Sequence, residues 1–451
     1  NQDKEAKIQV EEYLKQRPKA NIEGWKKRAT FKNETDIDLY VNALRKAGFP
    51  ETPPLSLPDK PSIAVLPFVN MSDDPKQEYF SDGITEEIIT ALSKTPKLFV
   101  IARNSTFTYK GKPVKVQQVG RELGVRYVLE GSVRKAGDKV RITAQLVDAK
   151  TGHHLWAERY DRELNDIFAI QDEITIKIMT ALQVQLTEGE QARLIGKGTN
   201  NLDAYLNYLK ARDYLNQFTK ETNILAKQLA EKTISLDPNF AYGYVGLGMT
   251  QIYDVWLGVS KSPKESFKRA IELAQKAIEI DPSLYEPHRL LAHIYVSMRR
   301  YDTAIAEAEK ALELNPNSAH AYATLGHVLL FAGKSQEAIT MIKKAIRLNP
   351  YPPSWYYTNL GGAYKALGHY DEAIQMFKKA LEKSPDNLIA LVSLSGAYGL
   401  AGRLEEAKAT AKEVLRVNPR FSVDRYERMS PVKDESHKIK NAEALRKAGL
   451  K

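Results

Sequence analysis

The sequence predicts an α/β region built on a small mixed sheet with helices, followed by an all-α solenoid of paired helices. Three observations carry this reading. Between residues 62 and 186 short apolar runs alternate with helical patterns, and strands interleaved with helices imply a sheet with helices packed on it. Further on, prolines fall at Pro238, Pro282, Pro316, Pro350, Pro385 and Pro419, at intervals of 44, 34, 34, 35 and 34 residues. A fixed period in this range marks a stacked array of helical pairs. Finally, the hexapeptide ALRKAG stands at residues 43–48 and again at 444–449, near both ends of the 451 residues.

Composition sets the bounds. With 43% hydrophobic and 27% charged residues the chain falls in the range of folded globular proteins. There is no cysteine, which excludes disulfides and thiolate metal sites. No apolar run approaches the roughly 18 residues that span a bilayer. The chain starts at Asn1 with charged residues and no apolar signal core, so a targeting segment would lie upstream. A cytoplasmic setting is taken over a periplasmic one. The net charge is +10, but lysines and arginines alternate with glutamates at helical spacing, as in EEAKATAKEVLR. That pattern describes a solvated helix face, and nucleic acid is not the expected partner.

Residues 1–49 read as the end of a repeat array. Residues 6–48 align without a gap with 407–449 at an offset of 401, with 13 identities that include Ala6, Leu14, Pro18, Lys32, Glu34 and the hexapeptide. Trp25 then faces Tyr426 and Phe31 faces Val432, while Asn33 and Asp434 stand as N-caps and a basic pair precedes a glycine in both copies. Helices are expected near 6–16 and 34–47, with Val10, Leu14, Trp25 and Tyr40 exposed or resting on a foreign surface. The stretch PETPPLSLPDKP, residues 50–61, is a proline-rich, semi-rigid linker.

The region 62–190 follows. SIAVLPFVN opens as a buried strand, DGITEEIITALSKTP as a helix with Ile84, Ile88, Ile89 and Leu92 on one face, and LFVIAR as a second strand. VKVQQVGRELG is a short helix ending at Gly124. In DKVRITAQLVDAKTG, Val140, Ile142, Ala144 and Leu146 alternate with Arg141, Thr143 and Gln145, the pattern of a half-buried strand. HHLWAERYDRE continues the hairpins, and DIFAIQDEITIKIMTALQVQL closes the region as a long helix.

The stretches SIAVLPFVNMS, EYFSDGITEEIITAL, YVLEGSVRKAGDKVRITAQLVDAKTG and LWAERYD resemble the amino-terminal domain of TolB and related TolB-like domains of bacterial signalling proteins. In TolB a β-propeller follows that domain; here helical repeats follow, so TolB's own role does not transfer. The order found here resembles the C-terminal region of bacterial class III adenylate or guanylate cyclase-like proteins. A similar region also stands behind DNA-binding winged-helix domains.

From 204 to 419 the unit AYATLGHVLLFAGKSQEAITMIKKAIRLNP places Tyr322, Leu325 and Gly326 on a first helix and Ala338 and Ala345 on a second. The next unit repeats this with Tyr357, Leu360, Gly361, Tyr364, Ala373, Phe377, Ala380 and Pro385. These six units resemble tetratricopeptide repeats. The first two depart from the pattern: Thr233 replaces the second-helix alanine of the first, and DVWLGVSKSPKES is inserted between the helices of the second, where Gln251 replaces a tyrosine. Residues 420–451 form a C-terminal capping segment, as the exposed end of a solenoid requires.

No constellation calls for catalysis. Gly111 in GKP lacks the rest of a phosphate-binding loop, and Gly243, Gly246 and Gly248 lie in a repeat helix where close packing explains them. His154 and Glu158 fall about 13 Å apart along one strand, too far for a metal pair. Glu86 and Glu87 are expected to open a helix, where they would complement its dipole. The chain itself is read as no enzyme, with no cofactor and no metal.

Histidines are less evenly spread. His288, His293, His320 and His327 lie within 40 residues on the first helices of two neighbouring units. First helices line the concave groove of such solenoids, and there Arg289, His293, His320, His327 and Trp355 are the residues expected to hold a protein or peptide partner. The resulting expectation is a non-catalytic binding and regulatory region of a bacterial signalling protein, attached to a nucleotide cyclase. Two alternatives stand beside it: an envelope assembly or scaffold factor, and the regulatory region of a winged-helix transcription regulator. Homo-oligomerisation is left open.

Overall fold

Strand β1 (Ser62–Val65) is buried along its whole length, as a continuous apolar run must be when both faces of its sheet are covered. The computed structural model describes residues 2–17, 20–26, 28–30, 33–47, 49–50, 53, 55–184 and 198–451. Pro18, Phe31, Lys32, Gly48 and part of the linker lie outside the described residues. Strand β1 pairs in parallel with β3 (Phe99–Val100) and β4 (Tyr127–Ala136). β4 runs antiparallel to β5 (Lys139–Asp148), and β5 to β6 (His154–Glu163). The order is β3-β1-β4-β5-β6, with β2 (Val69–Asn70) also paired to β4.

The second strand is shorter than LFVIAR implied. Ile101 still donates its N–H to the carbonyl of Ile63, but the N–H of Ala102 turns to Leu348 in the solenoid, and Arg103 begins helix α5 (Arg103–Thr106). A contact to a distant segment ends the strand. On one face, Val140, Ile142, Ala144 and Leu146 meet α4 (Glu78–Ser93) through Phe80, Ile84, Ile88 and Leu92, and α7 (Ile167–Ala181) through Ile167, Ile170, Ile174 and Ile178. The opposite face of β1 and β4 is covered by Val119 and Leu123 of α6 (Val116–Leu123). Helix α6 ends at Gly124, whose φ of 62° is the left-handed conformation that glycine adopts without strain.

Twelve helices make up the solenoid, paired as α8 (Leu202–Gln217) with α9 (Lys220–Leu236), α10 (Ala241–Trp256) with α11 (Pro263–Ile280), and α12 (Glu286–Ser297) with α13 (Tyr301–Leu314). Then come α14 (Ala319–Phe331) with α15 (Ser335–Leu348), α16 (Ser354–Ala366) with α17 (Tyr370–Lys383), and α18 (Leu388–Leu400) with α19 (Leu404–Val417). Ala304, Ala338, Ala373 and Ala407 occupy the same place in successive second helices and are all fully buried. The array ends in α20 (Val423–Met429) and α21 (Glu435–Lys447). At the other end of the chain stand α1 (Gln2–Gln16), α2 (Ile22–Lys26) and α3 (Glu34–Lys46). There Leu14 is buried, contrary to expectation, and Trp25 stacks on Tyr40 at 5.4 Å, while Tyr40 is 52% exposed.

The α/β region and the solenoid share one core. Ala204, Tyr205, Tyr208 and Leu209 of α8 pack into the cluster of α4 and α7, and at Gly83 a Cβ would lie 2.6 Å from Leu209. Arg212 pairs with Glu87 at 2.7 Å and Glu86 at 3.4 Å. Farther along, Asn317 donates to the carbonyls of Ser93 and Thr95, and Ser105 bonds Asn349 at 2.6 Å. Arg347 donates to the carbonyls of Leu123, Gly124 and Ser56 and lies over Phe99. In the packing, the two regions are continuous.

Candidate ligand-binding groove

Helices α12, α14 and α16 begin side by side, and their first turns carry Arg289, His320 and Trp355. About two turns into α12 comes His293, and about two turns into α14 comes His327. Stacking of successive units brings these rings together: His293 and His327 lie 5.2 Å apart, His293 and Trp355 6.4 Å, and His320 and Trp355 6.2 Å in stacked geometry. Thus four of the five expected residues form one aromatic cluster, with Arg289 charged beside it. His288 does not join them. Its Nδ1 lies 2.7 Å from Glu307 of α13, on the side of α12 that faces its own partner helix.

Each ring is oriented by a neighbour. His293 Nε2 is 3.1 Å from Thr324 Oγ1, and His327 Nδ1 is 3.2 Å from Asn359 Oδ1. Both partners sit about one repeat later in the sequence, so the same arrangement recurs on adjacent units. His320 Nδ1 is 3.1 Å from the hydroxyl of Tyr356. The edge of Trp256 meets His293 at 5.6 Å. Trp256 belongs to the stretch inserted in the second unit, and that departure from the repeat was the available signal for it.

Electrostatics keep the cluster neutral. Burial, then the charges of His327, Arg289 and His320, hold His293 well below the ordinary histidine range. Burial, helped by Arg289 and Arg103, lowers His320 to about 3, and burial lowers His327 to about 4 against the bond from Asn359. Glu286, at the start of α12, is pushed up to about 7 by burial, although its own backbone N–H, Lys94 and Arg289 oppose the rise. Sequence reasoning passed over Glu286, whose position three residues before Arg289 puts both on one side of the helix. Glu286 Oε2, Arg289 Nε and His293 Nδ1 are all buried without a hydrogen-bond partner among the described residues. Buried polar atoms are normally satisfied, and three unsatisfied ones stand here on a single helix.

Two parts of the chain flank this groove. The α/β region lies along the edge where α14 and α16 begin, held there by Asn317, Asn349 and Arg347. The segment after α20 runs along the other edge: Arg299 donates to the carbonyls of Arg428 and Ser430, Tyr301 to Pro431, and the N–H of Lys433 to Phe331. Among the described residues no group of three or more His, Asp or Glu side chains could hold a metal ion, and no helix is long and apolar enough to cross a membrane.

Comparison with known proteins bears on both regions. Three family models match: the second domain of HilA/YgeH-like transcriptional regulators over residues 59–177, a tetratricopeptide repeat over 364–426, and anaphase-promoting complex, cyclosome, subunit 3 over 263–345 and 297–380. The solenoid is thus built of tetratricopeptide repeats, a non-catalytic protein-interaction fold. The resemblance of the α/β region to TolB is not confirmed by these matches. A protein of Rhizobium meliloti (strain 1021) named "Putative adenylate cyclase 3" is 49% identical over 255 residues, 56% of this chain and 43% of that protein. The chain spans less than half the length of this relative. Among solved structures, a thermophilic tetratricopeptide protein of Thermus thermophilus is 21% identical over 42% of this chain and 98% of its own, at a TM-score of 0.35. A chain of the APC/C hetero-tetramer Cut9-Hcn1 is 18% identical over 63% of this chain and 54% of its own, at a TM-score of 0.41.

Proposed function

We propose that this chain is the binding and regulatory region of a bacterial signalling protein whose output is nucleotide cyclisation. A partner segment or ligand lies against Arg289, His293, His320, His327 and Trp355 and alters how the α/β region sits on the solenoid. The observation that carries this reading is the trio of unpartnered buried polar atoms on α12, next to the edge where the α/β region is held. A group that satisfies them lies beside the starts of α14 and α16, where that region is anchored, so binding and docking are coupled through neighbouring elements. The 49% identity to part of a protein named as an adenylate cyclase supports the choice of output.

The test uses the longer protein. Cyclic nucleotide formation from ATP and GTP is measured for the parent protein, for Arg289→Gln, and for Asn317→Leu, which loosens the docked region. Altered output in both variants with unchanged circular dichroism supports the reading. Equal output in all three overturns it.

A second reading rests on the match of residues 59–177 to the second domain of HilA/YgeH-like regulators. There the output is transcription, and the same variants would alter sequence-specific DNA binding by the longer protein instead of nucleotide turnover.

A further inference from the structure

Residues 2–50 repeat the end of the chain, element by element. Helices α1, α2 and α3 begin at 2, 22 and 34, and α19, α20 and α21 begin at 404, 423 and 435. The offset of 401 between the sequences therefore holds for α2 and α3 to the residue. It holds for their closing bonds as well. Ile22 donates its N–H to the carbonyl of Pro50 at 2.8 Å, and Val423 to that of Lys451 at 2.6 Å. Phe49 donates to Leu44, and Leu450 to Leu445. Asn33 and Asp434 cap their helices by side chain, and Ala47 and Ala448 end them. Ile22 and Val423, and likewise Val41 and Ala442, are buried in both copies.

One difference separates the copies. In the later one α21 lies on α18, and the contact is close because α18 offers glycine. A Cβ at Gly399 would stand 3.0 Å from that of Ala444 and 3.1 Å from its carbonyl oxygen. From α16, Lys365 donates to Asn441 at 2.7 Å. Ala444, Leu445 and Ala448 are consequently 4%, 0% and 3% exposed. Their counterparts on α3 are not covered: Ala43 is exposed, and Leu44 and Ala47 are half-buried. Helix α1 supplies the counterpart of α19. What the earlier copy lacks among the described residues is the counterpart of α18.

We propose that the Ala43, Leu44 and Ala47 face of α3 is a docking surface for the first helix of a second tetratricopeptide unit. That helix joins α1 as α18 joins α19, and presents glycine or alanine opposite Ala43. The chemistry follows from the twin contact in the same chain: only a small residue admits an approach this close, and an apolar face opposite Leu44 removes it from water. Residues 2–50 then close one array, while α20 and α21 close the other. The α/β region stands between two solenoids. This inference rests on the repeat reading and not on the choice of output.

Hydrogen exchange of the α3 amides tests it, comparing the 451-residue chain with the same chain carrying the residues encoded ahead of it. Exchange should slow at least tenfold in the longer chain. Ala43→Lys should abolish that protection yet leave the melting temperature of the 451-residue chain unchanged, because Ala43 is exposed there. Leu39→Lys, at the position of the equally exposed Lys440, should leave the protection in place. Equal exchange in the two chains, protection that survives Ala43→Lys, or the lack of any encoded helical pair ahead of α1 would each overturn the proposal. So would concentration-dependent self-association of the 451-residue chain that Ala43→Lys removes, since a second copy would then be the occupant.

Discussion

The side-chain amide of Asn317 donates to the carbonyl of Thr95 at 2.6 Å and to that of Ser93 at 3.3 Å, joining the loop before α14 to the end of α4. The same residue accepts from Lys60 at 3.2 Å, and its backbone N–H also reaches Ser93. Asn317 is only 4% exposed. Replacing it with leucine leaves the carbonyl of Thr95 unpaired, while that of Ser93 keeps its bond from the backbone N–H at 317, at a cost of about 1–3 kcal/mol. Differential scanning calorimetry of Asn317→Leu should show a lower midpoint and a broadened or split transition, as the α/β region begins to melt apart from the solenoid. A single transition at the parental temperature would mean that Asn317 does not couple the two.

Much of this architecture was legible because it is periodic. The prolines at 34-residue intervals and the alternation from Val140 to Leu146 report faces that must be buried, and Gly124 reports a helix end. Docking of the α/β region was not legible. It depends on Asn317, Asn349, Arg347 and Arg212, single polar residues that look like ordinary loop or surface positions of a repeat. Most of their partners are backbone carbonyls, which any sequence supplies. The groove cluster lay between these cases: stacking of His293 on His327 followed from the period, whereas Glu286 and Trp256 joined it through contacts that no period encodes.

Glu286 and the groove histidines make stability depend on pH in opposite senses. Glu286 titrates at about 7 when folded, above the ordinary glutamate value near 4.3, so its contribution is greatest below about pH 4 and declines as pH rises toward 7. His320 and His327, lowered to about 3 and about 4, do the reverse: their contribution is full above about pH 6.5 and is lost as pH falls toward those values. Glu286→Gln removes only the first effect. Urea unfolding should find the variant equal to the parent at pH 4.5 and more stable at pH 8, by on the order of 1–3 kcal/mol. A variant no more stable at pH 8 would show that Glu286 is ionised without penalty.

Arg299 occupies a turn position where the following units have glycine. Its φ is 60°, and Gly333, Gly368 and Gly402 stand at 84°, 79° and 76°. A left-handed conformation costs a non-glycine residue roughly 1–2 kcal/mol. Against this, the guanidinium donates to Arg428 and Ser430 at 3.0 and 3.1 Å, exposed bonds worth little in global stability. Arg299→Gly should leave the unfolding free energy unchanged or raise it by about 1 kcal/mol, while amides 430–433 exchange faster. A fall of more than about 2 kcal/mol would show that the returning segment holds the solenoid together.

Arg347 joins three segments at one point. Its guanidinium donates to Ser56 at 2.7 Å, Gly124 at 3.0 Å and Leu123 at 3.3 Å, and lies 4.5 Å from the centre of the Phe99 ring. The Ser56 bond ties down the later half of the proline-rich stretch, and Lys60 ties it again through the carbonyl of Pro96 at 2.8 Å. A protease needs an extended, unbonded backbone, so in the parent chain residues 55–60 should resist cleavage and any cut between the N-terminal helices and β1 should fall before Leu55. Arg347→Ala frees the carbonyls of Ser56, Leu123 and Gly124 together. Limited proteolysis of the variant, followed by mass spectrometry, should then reveal new cuts at 55–58 that release the N-terminal segment from residue 1 onward, while the α/β region and the solenoid stay joined through Asn317 and Arg212. If cleavage at 55–58 is as slow in the variant as in the parent, the linker is held by its own prolines and not by Arg347.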